Sequence, residues 1–111
     1  MITATLRINV CEERRADVNK LLRSLIEPTR VETGCLNCRL YYEKDNPNSL
    51  TWVEEWKTEG DLRRHVGSPQ YRRILAALDM SDVQPEVRFD KVVETTGMQL
   101  IAEARKVKPS D

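Results

Sequence analysis

Residues 36–56 read LNCRLYYEKDNPNSLTWVEEW, two alternating runs on either side of the turn cluster Asp45-Asn46-Pro47-Asn48. Leu36, Cys38, Leu40 and Tyr42 alternate with Asn37, Arg39 and Tyr41, which gives a strand with two distinct faces. The stretch from Leu50 to Trp56 is the antiparallel return, with Trp52, Glu54 and Trp56 on one face. The two runs make a hairpin in the middle of the chain, and what flanks it decides the fold.

Upstream, Ile2, Ala4, Leu6, Ile8 and Val10 alternate with Thr3, Thr5, Arg7 and Asn9, a strand with one apolar face. Val18, Leu21, Leu22, Leu25 and Ile26 then fall on one side of a helix predicted over about residues 13–33. Pro28 is expected to kink or restart that helix, and Gly34 suits the left-handed position that closes it. Downstream, Thr58 and Asp61 resemble a capping box ahead of Leu62, His65 and Val66. Ser68-Pro69 is expected to cap and start a further helix carrying Tyr71, Ile74, Leu75 and Leu78. Val87, Phe89, Lys91 and Val93 mark a last strand, and Gly97 opens a tail with Met98, Ile101 and Ala104 at near-helical spacing. The order βαββαβ predicts an α+β, ferredoxin-like fold, a four-stranded antiparallel sheet with helices on one face. Residues 1–96 form the domain and 97–111 a C-terminal tail. The opposite sheet face would carry Thr5, Arg7, Asn37, Arg39, Tyr41, Val53, Glu55 and Arg88. Such a face either meets water or packs on a second copy, with Arg7, Arg39 and Glu55 at the dimer interface.

With 111 residues the chain has room for one modest core. Lysine plus arginine and aspartate plus glutamate balance at 18 each, so no basic excess points to nucleic acid. No apolar run approaches membrane-spanning length, and the alternating N-terminus leaves no room for a leader, which suggests a cytoplasmic protein without a membrane partner. Three cysteines in that setting read as reduced thiols.

Few constellations could carry chemistry. Cys35 and Cys38 are three apart, so within a regular strand their sulfurs diverge unless the backbone bulges, and no second close ligand pair would complete a zinc site. The four glycines match no phosphate cradle, and no serine stands on a glycine-flanked elbow. On these patterns no cofactor is expected, neither flavin nor zinc. What remains is His65, the only histidine, on a helix face with Leu62 and Val66 and turned toward Trp52, Glu54 and Trp56. Glu54 among tryptophans is costly to bury without a partner, and a polar-lined cavity would relieve that cost. The plainer alternative is an inward histidine satisfied by hydrogen bonds beside a tryptophan that is merely core.

Glu32-Thr33-Gly34-Cys35-Leu36, Leu40-Tyr41, Pro47, Glu54-Glu55-Trp56, and Leu62 with His65 and Ser68 together resemble the antibiotic biosynthesis monooxygenase family of the dimeric α/β-barrel superfamily. The resemblance implies a homodimer packed sheet to sheet into a barrel, with a pocket between sheet and helices in each copy. It implies a cofactor-independent monooxygenase acting on a phenolic, quinol-like or polyketide-like small molecule. His65, as base or hydrogen-bond donor, and Trp56, as cage wall, are the expected catalytic pair, with Trp52, Tyr42 and Glu54 as substrate neighbours. The chain departs from the family at Cys38, where an aromatic is usual. It also carries Leu6 and Leu75 where the haem-degrading relatives have asparagine and histidine, which leaves haem degradation without an axial ligand. Two other readings stay open: a non-catalytic binding or stress-response module, and an isomerase of a small hydroxylated metabolite.

Overall fold

The structure, a computed structural model, describes residues 1–106; residues 107–111, the end of the predicted tail, lie outside it. The order is β1 (Ile2–Asn9), α1 (Glu12–Arg30), β2 (Cys35–Glu43), β3 (Asn46–Trp56), α2 (Glu59–Val66), α3 (Tyr71–Asp79), β4 (Glu86–Lys91) and α4 (Met98–Lys106). The strands form one antiparallel sheet in the order β2-β3-β1-β4, with α1, α2 and α3 on one face. This is the ferredoxin-like α+β arrangement that the alternating and helical patterns predict.

Each element follows from its pattern. β1 buries Ile2, Ala4, Leu6 and Ile8 and turns the residues between them outward. α1 opens on Glu12 and Glu13, which favour a helix N-terminus, and buries Val18, Leu22, Leu25 and Thr29 against the sheet. Thr58 caps α2, its hydroxyl oxygen accepting from the Asp61 amide at 3.1 Å. Its hydroxyl proton goes to the Asp61 carboxylate at 2.8 Å.

Several local expectations change. α1 runs through Pro28 in its last turn and ends at Arg30, because Glu27 and Thr29 take over as acceptors for the Val31 and Glu32 amides. Pro47 lies inside β3, whose pairing with β2 starts at Glu43 and Asn46, so the turn shrinks to Lys44-Asp45. As the second residue of its strand, Pro47 is where a missing ladder donor is tolerated. Ser68 does not cap α3. Its hydroxyl donates to the His65 carbonyl at 2.7 Å and closes the end of α2, and α3 starts at Tyr71.

The largest change is in β2. The register slips between Cys35, opposite Trp56, and Asn37, opposite Glu55, a bulge that ejects Leu36 to solvent. The bulge brings Cys35 and Cys38 onto the same face, since their partners Trp56 and Glu54 share it. Both pack against the core as thiols.

On the other sheet face the register sets Arg39, Val53, Thr5 and Arg88 in one row and Tyr41, Thr51, Arg7 and Glu86 in the next. Arg7 is already held within the chain, donating to Glu43 at 2.7 and 3.0 Å and to Glu86 at 3.1 Å. β4 is an edge that none of the described helices covers, and Val87 and Phe89 stay half exposed on its helix-facing side.

Candidate functional site

Alternation along β3 turns Trp52, Glu54 and Trp56 inward, and α2 lowers His65 onto them from above. The Glu54 carboxylate takes three donors: the Trp52 indole at 2.7 Å, the Trp56 indole at 2.9 Å and His65 Nε2 at 2.9 Å. Across the ring, His65 Nδ1 lies 2.9 and 3.0 Å from the two oxygens of Glu32, which precedes the Gly34 turn. The imidazole lies 4.6 Å from the Trp56 ring, tilted by 32°, and Tyr71 meets it edge-on at 5.1 Å. Trp56 and His65 are 0 % and 1 % exposed.

An imidazole can donate from both nitrogens only when protonated, and here each nitrogen faces a carboxylate. Burial alone would push the His65 pKa down, but the hydrogen bonds and charges of Glu54 and Glu32 outweigh it and raise it above the ordinary 6.5. The Trp56 face adds a cation–π contact to the same charged form. Burial, then the charge of Glu54, pushes the Tyr71 hydroxyl up to about 12, so it stays neutral. Burial likewise raises both the Cys35 and the Cys38 thiols. The two carboxylates thus favour the protonated form of His65 over the neutral one, which suits it to donating a hydrogen bond more than to accepting a proton. A raised folded pKa contributes stability in full below pH 6.5, lost as pH rises through the folded value. Because the chain has one histidine, its NMR titration is unambiguous. The midpoint is expected above 6.5, and one at or below 6.5 would mean that burial dominates.

The structure brings together His65, Trp56, Trp52 and Glu54, and adds Glu32, which the sequence reading had only as part of a motif. It leaves Tyr42 outside, half exposed, with its hydroxyl donating to Asn19 on α1. The expectation that Trp56 and His65 share a cavity with a ligand is not met in this geometry. The room between them is filled, and the void under α1 and α3 beside Trp52 holds only about 10 Å3. Open space lies one layer away. A cleft of about 520 Å3 runs between α2 and the β1–β4 edge, floored by Ile2, Leu62, Val66 and Phe89. Glu59, Arg63 and Lys91 rim it. Ile2 and Leu62 pack on Trp56 with their other sides, so the charged network stands directly behind the cleft wall. Arg63 donates to Glu59 at 2.7 Å, which holds the Glu59 carboxyl below its usual range. Sequence reasoning missed these residues. Arg63 sits on the polar side of an amphipathic helix, and Phe89 reads as an ordinary strand residue. Only the pairing of β4 with β1 puts Phe89 beside Ala4 and Lys91 beside Ile2.

Among the described residues no cluster of three or more metal-ligating side chains forms, and no helix is long and apolar enough to cross a membrane. The family model of antibiotic biosynthesis monooxygenases matches residues 1–77, the part that holds β1 through β3, α2, most of α3 and the whole buried network. An uncharacterised Synechocystis protein is 26 % identical over 89 residues, and the match takes in 79 % of this chain and 60 % of that one, so the chain spans less than two thirds of this curated relative. A conserved protein of Methanosarcina mazei has a solved structure 34 % identical to this chain with a TM-score of 0.74, covering 81 % of this chain and 90 % of its own. SnoaB of Streptomyces nogalater, a cofactor-independent oxygenase, superposes with a TM-score of 0.72 at 19 % identity over 85 % of this chain and 94 % of its own, a likeness of fold. The match across β1, β2 and β3, with the Gly34 turn, the tryptophan that ends β3 and the histidine of α2 all inside it, shows that the chain belongs to the antibiotic biosynthesis monooxygenase family.

Proposed function

We propose that the protein is a monooxygenase that takes a phenolic, quinol-like or polyketide-like aromatic in the cleft between α2 and β4 and oxygenates it without a cofactor. One observation carries the reading: the cleft joins an apolar floor of Ile2, Leu62, Val66 and Phe89 to a rim bearing Arg63 and Lys91. Its volume of about 520 Å3 suits a small polycyclic molecule. Lys91, the rim cation not paired with Glu59 as Arg63 is, favours the phenolate over the phenol, and the apolar floor keeps water from the electron-rich ring. The phenolate reduces dioxygen and the ring carbon forms a bond to one oxygen atom. Loss of the ring hydrogen and cleavage of the O–O bond leave a quinone and one water, so the substrate supplies every electron consumed. Family membership and the fold shared with the oxygenase SnoaB support the same reading.

In this reading Trp56 and His65 act through the wall as positioning residues. The imidazolium locked between Glu32 and Glu54 fixes the Trp56 indole, which in turn backs Ile2 and Leu62. Val66 is partly exposed and lines the cleft, so Val66→Trp should fill it without disturbing the core. Oxygen uptake with a reduced quinol or polycyclic phenol should then fall to background, and Lys91→Met should lower kcat/KM by about tenfold or more. Uptake unchanged in both variants would remove the cleft from the reaction. Saturable binding without any oxygen uptake by the wild type would instead favour a binding module, and product formation without oxygen an isomerase.

The open sheet face, with Arg7, Arg39 and Glu55, is proposed as the surface on which two copies meet. Glu55→Lys places a cation opposite Asn37 and Thr3, near Arg39, and should weaken association. Sedimentation that shows no shift toward monomer would count against that face.

A further inference from the structure

Only one side chain along the cleft between α2 and β4 can accept a hydrogen bond. Arg63 and Lys91 donate and do not accept, the apolar floor does neither, and Glu59 carries the acceptor oxygens. Its pair with Arg63, one helical turn on, is exposed on both sides and contributes little to the fold.

How Glu59 is held fixes what it can take. Arg63 Nε donates to Glu59 Oε2 at 2.7 Å, which ties one oxygen and leaves Oε1 without a donor among the described residues. Hydrogen bonding and charge from Arg63, with the charge of Lys91 added, keep the Glu59 carboxyl below its usual range. It therefore stays an anion near neutral pH. Lys91 reaches the same rim from β4, where its backbone pairs with Ile2.

The rim charge limits what a ligand can bring. Two cations against one carboxylate leave a single net positive charge, which one phenolate neutralises. A second ionised group, such as a ring carboxylate, would find no cation to spare and would face Glu59, where like charges repel. A neutral hydroxyl beside the phenolate has a proton to give, and Oε1 is open to receive it. A ligand with one hydroxyl would instead press its ring against an unpaired carboxylate oxygen.

We propose that Glu59 is a specificity-determining residue of the substrate cleft, and that the substrate is an aromatic with two adjacent hydroxyls, ortho or peri to one another. One is held as the phenolate by Lys91 and the other donates to Glu59 Oε1. The inference rests on the cleft reading above and narrows it. Lone phenols lack the second donor, para-quinols place it across the ring, and aromatic acids carry one charge too many. The hydrogen bond into a carboxylate also raises electron density on the ring, which suits a substrate that gives electrons to dioxygen.

Binding in anoxic buffer tests this without turnover. The probes, sized for the cleft, are 2,3-dihydroxynaphthalene, 3-methoxy-2-naphthol, in which one hydroxyl is blocked, and 2-naphthol, each titrated calorimetrically into the full chain. The diol is expected to bind the wild type at least about tenfold tighter than either of the others. In Glu59→Ala that preference should fall below about threefold, while Lys91→Met should weaken all the probes alike. Equal affinities in the wild type, a comparison that depends on no variant, would overturn the proposal. So would a preference for the diol that survives in Glu59→Ala. If none of the probes binds, the cleft reading falls and the proposal with it. If the diol is preferred but never drives oxygen uptake, the specificity of Glu59 stands and the oxygenase reading alone fails.

Discussion

Glu54→Ala should destabilise the folded protein by about 3–5 kcal/mol, the usual cost of removing one partner from a buried ion pair. The substitution strips the acceptor from the Trp52 indole, the Trp56 indole and His65 Nε2 at once, and none of the three reaches water. The imidazolium would keep only Glu32, which is partly solvent-exposed. Urea unfolding at pH 6 checks the magnitude, and a loss under about 1 kcal/mol would mean that the network is worth no more than a neutral hydrogen bond. Removing both charges is less damaging than the sum of parts, because no buried cation is left behind. A cycle with His65→Leu should therefore show the double variant losing clearly less than the two singles added. The wild-type advantage over His65→Leu should also shrink from pH 6 to pH 9, since the His65 contribution is lost as pH climbs through its raised pKa.

Gly34→Ala should cost about 2–4 kcal/mol, from two sources that add. Gly34 has φ of +84°, where an L side chain costs about 1–2 kcal/mol. A Cβ there would also lie 2.1 Å from Asp61 Oδ2 and 2.6 Å from Asp61 Cβ. Asp61 cannot swing aside freely, since it accepts from Thr58 and from Arg64 at the start of α2. The turn at Gly34 also sets where Glu32 meets His65, and the Gly34 carbonyl accepts from the Lys57 amide at 2.8 Å. The loss should therefore appear in thermal unfolding and as a downward shift of the His65 titration midpoint. An alanine variant as stable as wild type would show that the loop adjusts without strain. D-Ala at this position, which prefers positive φ, would separate backbone strain from the clash with Asp61.

Much of the architecture was legible because it depends on local periodicity. The alternation from Ile2 to Val10 and the 3.6-residue stripe through Val18, Leu22 and Leu25 each name their own buried face, and one element needs no knowledge of another. Gly34 could be placed at a left-handed position for the same reason. Boundaries were less legible. Ser68 has two possible uses for its hydroxyl, capping α3 or closing α2, and nearby sequence does not choose between them. The bulge at Leu36 is invisible to a period of two, and it alone puts Cys35 and Cys38 on one face.

The sequence by itself determined that His65 faces Trp52, Glu54 and Trp56, since helix and strand periods suffice for that. Only the tertiary structure decided what His65 is. Glu32 is 33 positions away and reaches the ring across the Gly34 turn, and that second carboxylate leaves neither ring nitrogen free and favours the protonated imidazole. The cleft was likewise decided by strand order, because placing β4 beside β1 sets Phe89 beside Ala4 and Lys91 beside Ile2, with none of the described helices above them. Periodicity tells a residue which way to face; charge state and open space depend on which distant neighbours arrive, and those are set by how the layers close.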